Sequence, residues 1–138
     1  MYISTTNTNK RVLIIEDDVA LRDSLVSRYQ AEGFLVDFAI TADEGIEIAE
    51  ANHPDLVILD ILLPGKKDGW DALSTLRAKP WGNKLPVIIL TNFDTDNKGI
   101  NNVNNSNPAY YLLKTNVSLG ELIEKSREVT GLSSSGEN

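Results

Sequence analysis

The sequence predicts an α/β protein, a doubly wound five-stranded parallel sheet with flanking helices. Short apolar runs alternate with amphipathic segments of helical spacing, which is the pattern of repeated strand–helix units. Three runs, 11–15, 56–59 and 87–90, are almost wholly apolar, as strands buried on both faces are. The 138 residues, 41% of them hydrophobic, suffice for one ordinary core, and a second domain does not fit within them.

Five strands and four clear helices follow from the periodicity. The predicted strands are 11–15, 35–38, 56–59, 87–90 and 110–113, with the three apolar runs at the centre of the sheet. The predicted helices are 19–31, 42–51, 70–78 and 118–130. Asp18 is expected to cap the first helix and Thr41 or Asp43 the second. Ser118 precedes Leu-Gly-Glu, a capping-box pattern.

The segment 94–107 and the two ends of the chain fit the pattern less well. A further helix is expected in 94–107, but its apolar anchors are Ile100 and Val103, and Gly99 and six Asn lie between 96 and 107. Asn and Gly each weaken a helix by up to about 1 kcal/mol, so a short, frayed helix with fast amide exchange is predicted. The polar ends, 1–10 and 131–138, are predicted to be flexible tails around a domain at 11–130.

The composition excludes several classes of partner. A formal net charge of −7 opposes direct binding to nucleic acid, which requires clustered Lys and Arg. The sequence shows neither the roughly 20 consecutive apolar residues of a membrane span nor the pattern of a signal peptide, so a cytoplasmic protein without membrane contact is expected. The absence of cysteine excludes disulfides and thiolate metal sites.

Polar residues follow four of the apolar runs, and they are the most informative feature of the sequence. They are Glu16 and Asp17, Asp60, Thr91 and Lys114. Because the carboxyl ends of parallel strands lie at one edge of a sheet, these side chains are expected to converge. Taken singly, the acids could cap helices or begin turns, Thr91 could be a cap, and Lys114 a solvated charge. Their joint occurrence favours a Mg²⁺ and phosphoryl site with Asp60 as the acceptor.

These positions, in this order, resemble the receiver domain of two-component response regulators. Supporting matches are Pro64, Asp68-Gly69, the Pro54-Asp55-Leu56 sequence and Tyr111. The resemblance covers about 11–130 and implies a flavodoxin-like fold with strand order 2-1-3-4-5. It also implies that a sensor histidine kinase or a phosphotransfer protein supplies the phosphoryl group. Such a protein would catalyse only its own phosphorylation and dephosphorylation and would not be an enzyme in the usual sense.

The resemblance assigns a role to each site residue. Asp60 is the phosphoacceptor, and Asp17, Asp60 and the Leu62 carbonyl bind Mg²⁺ directly, with Glu16 acting through water. Lys114 neutralises the phosphoryl oxygens as charge redistributes.

The resemblance also implies a two-state switch. Thr91 would hydrogen-bond the phosphoryl group and draw its loop inward, which leaves space for the Tyr111 ring. For Tyr111, ordinary core packing is an equal alternative. The changed surface would bind a downstream protein, and the face formed by the helix in 94–107, the fifth strand and the last helix would form a homodimer. His53, Trp70 and Trp81 are interpreted as packing residues.

Three positions depart from the family pattern. Lys114 is followed by Thr115 where a cis proline is usual, so either a costly cis bond is kept or the bond is trans and Lys114 is aimed differently. The loop after Asp60 has one additional residue, a Lys expected to point outward, and Asn92 follows Thr91 where a small residue is usual. Lys114-Thr115 and the Asn-rich segment 94–107 leave open a degenerate receiver that binds partners without phosphorylation. A Mg²⁺ phosphohydrolase and a flavodoxin-like cofactor binder are less favoured.

Overall fold

Five strands form one parallel sheet in the computed structural model of the protein, which describes residues 7–93 and 107–133. The strands are β1 (Arg11–Ile15), β2 (Leu35–Ala39), β3 (Leu56–Leu59), β4 (Val87–Thr91) and β5 (Tyr110–Leu113). Their order is β2-β1-β3-β4-β5, all pairs parallel, so the three apolar runs are central. The predicted fold class and strand order are confirmed. The helix predicted within 94–107 lies, apart from Asn107, outside the described residues.

Four helices cover the two faces of the sheet. Numbered among the described residues, they are α1 (Val19–Ala31), α2 (Ala42–Asn52), α3 (Gly69–Arg77) and α4 (Leu119–Val129). Each end lies within one residue of its predicted position. In this part of the chain, no helix combines the length and the apolar character that crossing a membrane requires.

Alternation along the central strands divides the core into two clusters. Leu13 and Ile15 of β1 face α2 and α3, whereas Val12 and Ile14 face α1 and α4. All four side chains are fully buried. Because successive side chains of a strand point to opposite faces, one five-residue strand contributes to both clusters.

Local capping explains where the helices begin. Asp18 caps α1 and accepts a hydrogen bond from the Leu21 amide, and of the two candidates for α2 the cap is Thr41. At α4, Ser118 and Glu121 form both hydrogen bonds of a capping box, as predicted.

The sheet hydrogen bonding continues one residue beyond several strands and fixes the backbone of the polar residues there. The bonds run from Glu16 N to Ala39 O (3.0 Å), from Asp60 N to Ile15 O (3.1 Å) and from Lys114 N to Thr91 O (2.8 Å). The backbone positions of these residues are thus set by the sheet and do not depend on contacts between their side chains.

The described residues before β1 also contact the sheet. The amide and the hydroxyl of Thr8 both donate to the Gly33 carbonyl, at 3.0 and 3.1 Å, and the Lys10 carbonyl accepts from Leu35 N at 2.9 Å. Residues 1–6 and 134–138 lie outside the described part of the chain.

The first residue of α3 generates a stability prediction. A Cβ added to Gly69 would lie 2.3 Å from the Asp60 carbonyl oxygen and 2.6 Å from Ile61 Cα, both backbone atoms that cannot move aside cheaply. Gly69→Ala should therefore lower the free energy of unfolding in urea by about 1–3 kcal/mol. At the control position, Gly120 in α4, the nearest atom would be 3.9 Å away, so Gly120→Ala should be neutral or stabilising by up to about 1 kcal/mol. Equal stability of Gly69→Ala and the parent would contradict the close approach.

Candidate functional site

Three carboxylates meet at the carboxyl edge of the sheet. Glu16, Asp17 and Asp60 each offer a ligand oxygen, and these oxygens all lie within 4.8 Å of one another. Glu16 and Asp60 are buried, with 3% and 4% of their surface exposed, whereas Asp17 is exposed. The structure therefore brings together the acids that the sequence placed at the ends of β1 and β3.

The Lys114 ammonium lies between the two buried acids. Its Nζ is 2.9 Å from Asp60 Oδ2 and 2.9 Å from Glu16 Oε1. Because the described residues contain no cis peptide bond, the bond to Thr115 is trans. Of the two alternatives stated for this bond the trans form is found, but the associated expectation that Lys114 would be aimed differently is wrong.

Burial and pairing change the pKa values of this group of charges. Burial raises the pKa of Glu16, against the opposing effect of its hydrogen bonds with Lys114 and the Asp18 amide. Burial alone would lower the pKa of Lys114, but its hydrogen bonds to Asp60 and Glu16, together with the charges of these two acids, outweigh burial and raise it. Lys114 is therefore held in its charged form at neutral pH.

The carboxylates form a donor set that suits Mg²⁺. Three carboxylates against one ammonium leave an excess of negative charge, and hard oxygen ligands are those that Mg²⁺ prefers. Asp60 Oδ1 accepts a hydrogen bond from Leu62 N at 3.0 Å, while Oδ2 is held by Lys114. The residues fit the metal that the sequence predicts, and coordination by the Leu62 carbonyl stays a prediction.

A hydrogen-bonded chain leads from Thr91 to Tyr111. Thr91 is fully buried, and its Oγ1 accepts from Phe93 N at 3.2 Å. The Tyr111 hydroxyl in turn donates to the Phe93 carbonyl at 2.5 Å. Tyr111 is half-buried and packs against the cluster beneath α2 and α3, so both core packing and switching are compatible with its position.

The aromatic residues interpreted as packing residues do pack. Trp81 meets the His53 ring edge-on, with centroids 5.0 Å apart, and both tryptophans lie against the same core cluster. Sequence reasoning missed that Trp70 stacks on Tyr111, with ring centroids 6.0 Å apart and an interplanar angle of 22°. No sequence signal pairs these residues, because they lie on separate elements.

The loop after Asp60 carries two exposed lysines, Lys66 and Lys67, as expected for its additional residue. Lys67 Nζ lies 2.8 Å from Asp43 Oδ1 at the start of α2, and this pair raises the pKa of Lys67.

A parallel sheet of this order, with acids, a threonine and a lysine at its carboxyl edge, is the architecture of a receiver domain. A profile of the response regulator receiver domain matches residues 12–127. The chain belongs to that family, whose members act in two-component signalling.

Relatives with curated descriptions are transcriptional and response regulators. The chain is 39% identical over 85 residues to the transcriptional regulatory protein PdtaR of Mycobacterium tuberculosis (strain ATCC 25618 / H37Rv), a match that covers 61% of this chain and 40% of PdtaR. It is 41% identical over 85 residues to the transcriptional regulatory protein BasR of Escherichia coli (strain K12), covering 62% of this chain and 37% of BasR. The matched part is thus about two fifths of these relatives' length.

Solved structures show the same architecture over most of the chain. A CheY-like response regulator receiver domain protein from Methanospirillum hungatei JF-1 superposes with a TM-score of 0.81 at 28% identity, covering 90% of this chain and 95% of that one. The BeF3-activated N-terminal receiver domain of Klebsiella pneumoniae RstA superposes with a TM-score of 0.76 at 28% identity, covering 87% and 97%.

Removal of the Lys114 ammonium should expose the repulsion between the buried acids. Lys114→Met should lower the melting temperature in metal-free buffer, because truncating one partner leaves buried charge uncompensated. Millimolar Mg²⁺ should then raise the melting temperature more in the variant than in the parent, because the metal replaces the lost cation.

Lys67→Met is the charge-matched control, since Lys67 is exposed and its partner Asp43 is not one of the clustered acids. This variant should change neither the melting temperature in metal-free buffer nor the rise of the melting temperature with Mg²⁺ appreciably. A Mg²⁺ effect on Lys114→Met no larger than on the parent would show that Lys114 and the metal do not neutralise the same carboxylates.

Proposed function

We propose that the protein accepts a phosphoryl group on Asp60 in a two-component phosphorelay. The observation that carries this proposal is the Lys114 ammonium, 2.9 Å from Asp60 Oδ2 beside two further carboxylates. A buried carboxylate fixed by a cation on one oxygen and an amide on the other is oriented as a nucleophile and shielded from bulk water.

The reaction transfers a phosphoryl group between two proteins. A carboxylate oxygen of Asp60 forms a bond to phosphorus as the bond from phosphorus to the donor imidazole nitrogen breaks, and the imidazole keeps that electron pair. Lys114 stays protonated and offsets negative charge on the phosphoryl oxygens. It can keep Glu16 as a partner while its contact with Asp60 changes, because it bridges both acids. Mg²⁺ held by Glu16, Asp17 and Asp60 would supply further charge neutralisation.

The output of the reaction would be a changed surface. A hydrogen bond from the Thr91 hydroxyl to the phosphoryl group would shift Phe93, whose amide is bonded to Thr91 Oγ1. The Tyr111 hydroxyl is bonded to the Phe93 carbonyl, so its ring would respond. The phosphoryl donor would be a histidine kinase or a phosphotransfer protein in the cytoplasm. The changed surface would bind a downstream protein or a second copy of the chain.

The position of Lys114 supports phosphorylation over the degenerate alternative. That alternative rests in part on the Lys114-Thr115 sequence, because a trans bond at this position was expected to aim the ammonium away from the acids. Lys114 reaches both buried acids across a trans bond, so the geometry for charge neutralisation does not depend on proline.

The direct test is labelling with acetyl phosphate and Mg²⁺, followed by intact mass measurement. The parent should gain the mass of one phosphoryl group, and Asp60→Asn should gain none. Asp17→Asn should label much more slowly, because it removes a proposed metal ligand. Asp23→Asn removes the same charge from an exposed position of α1 and should label like the parent.

Labelling of the parent chain and of Asp60→Asn decides whether the proposal stands. No label at any Mg²⁺ concentration, or a label that persists in Asp60→Asn, would reject the proposal. In the first case, size-exclusion chromatography with a candidate partner would test binding without phosphorylation.

We further predict that the phosphoryl group is lost slowly. Hydrolysis needs an in-line water, and the side chains two residues beyond Asp60 and Thr91 are Leu62 and Phe93, neither of which can orient water. Leu62→Asn with Phe93→Glu should speed loss of the label by about tenfold, equivalent to ~1.4 kcal/mol in the barrier.

The control is Leu35→Asn, which introduces the same polar group on the exposed edge strand β2. Its decay rate should match that of the parent. Loss of the parent label within seconds, or an unchanged rate in the double variant, would show that these two side chains do not limit hydrolysis.

A further inference from the structure

The hydroxyl and the ring face of Tyr111 make contacts with different parts of the site. The hydroxyl donates to the Phe93 carbonyl at 2.5 Å, and the face of the ring stacks on Trp70 of α3. The first contact depends on the position of Thr91, because Phe93 N donates a hydrogen bond to Thr91 Oγ1. The second contact depends on where α3 begins.

The beginning of α3 is fixed to the backbone that carries Asp60. Gly69 N donates to the Ile61 carbonyl at 2.8 Å. Gly69 lies so close to Asp60 O that a Cβ would be 2.3 Å from it. Trp70 is the next residue, so its backbone is tied closely to that of Asp60.

We propose that Trp70 is a positioning residue of the switch, which makes Tyr111 respond to movement of the loop carrying Phe93. The ring of Tyr111 is supported from the Asp60 side by Trp70 and bonded on the Thr91 side to Phe93. When Thr91 is drawn toward a phosphoryl group, the two supports move relative to each other. A ring supported on its face must then either break its bond to Phe93 or leave the stack. Without the indole, the ring could swivel with the loop and keep its hydroxyl bonded, so that its surface would not change.

This inference rests on the proposed function, because it takes phosphorylation of Asp60 as the event that moves Thr91. Its test therefore measures the label and the response of Tyr111 on the same samples. The chain has four tyrosines, which can be labelled uniformly with 3-fluorotyrosine, and the Tyr111 fluorine signal is assigned by its loss in Tyr111→Phe.

The matched variants are Trp70→Leu and Trp81→Leu. Trp81 packs on His53 and lies against the same core cluster as Trp70, so each variant removes an indole from that cluster. On treatment with acetyl phosphate and Mg²⁺, all chains should gain one phosphoryl group by intact mass. The Tyr111 fluorine signal should shift in the parent and in Trp81→Leu, and Trp70→Leu should lose most of that shift. A purely structural role would lower the melting temperature of both variants and leave the Tyr111 shift intact.

A second measurement needs no substitution of Trp70. In Trp81→Phe, the remaining tryptophan is Trp70, so its emission reports on the stack directly. Phosphorylation should change this emission, and Tyr111→Leu added to that background should remove the change. This measurement decides the matter if circular dichroism shows that Trp70→Leu is unfolded.

The outcomes separate the two proposals. Absence of the label in the parent rejects the proposed function. A labelled parent in which the fluorine shift persists in Trp70→Leu, or in which Trp70 emission is insensitive to phosphorylation, rejects the role of Trp70 and leaves the proposed function standing. Loss of the fluorine shift in Trp81→Leu as well as in Trp70→Leu would also overturn the inference, since core disruption would then suffice.

Discussion

The site depends on one ammonium placed between two buried carboxylates. Glu16 and Asp60 are nearly inaccessible to solvent, and burial of each negative charge is costly without a partner. Lys114 Nζ lies 2.9 Å from each of them. Replacing one such charge by a neutral group typically costs about 3–5 kcal/mol in a buried pair, although that figure includes the penalty for the charges left behind. The ammonium therefore permits a concentration of negative charge that an apolar core could not otherwise hold.

The parallel sheet makes this arrangement possible. Glu16 and Asp60 follow adjacent strands, and their amides continue the hydrogen bonding of the sheet to Ala39 and Ile15. Lys114 reaches them from beyond β5, two strands away from β3, and its own amide is bonded to the Thr91 carbonyl. The ammonium on the long, flexible side chain of this lysine meets the carboxylates of the acids from a trans backbone, without the proline that usually follows the lysine in the family.

The sequence predicted those features that follow from periodicity and strand ends. Continuous apolar runs identify central strands, and a residue that follows such a run lies at the carboxyl edge. That argument placed Glu16, Asp60 and Lys114 correctly from local pattern alone. It could not give the direction of the Lys114 side chain, which depends on backbone torsions in the loop after β5. Nor could it pair Trp70 with Tyr111, because contacts between elements distant in sequence depend on how far each helix is displaced along the sheet.

The segments that precede β4 and β5 are linked to each other at the amino-end side of the sheet. Arg77, at the end of α3, donates to the carbonyls of Gly82, Leu85 and Asn107 at 2.9, 2.7 and 3.2 Å. These carbonyls precede β4 and β5, so one guanidinium ties together the approaches to both strands. Burial lowers the pKa of Arg77, but an arginine remains charged at neutral pH even so.

In the proposed switch, these bonds at the amino ends of β4 and β5 would oppose sliding of the strands when Thr91 is pulled. The displacement would then be taken up in the loop after β4, at Phe93, whose carbonyl is bonded to the hydroxyl of Tyr111 in β5. A new hydrogen bond at the buried Thr91 would thereby alter the position of the half-buried Tyr111. The hydrogen bonds of Arg77 would thus serve the proposed switch, as the charged edge of the sheet would serve the proposed phosphoryl transfer.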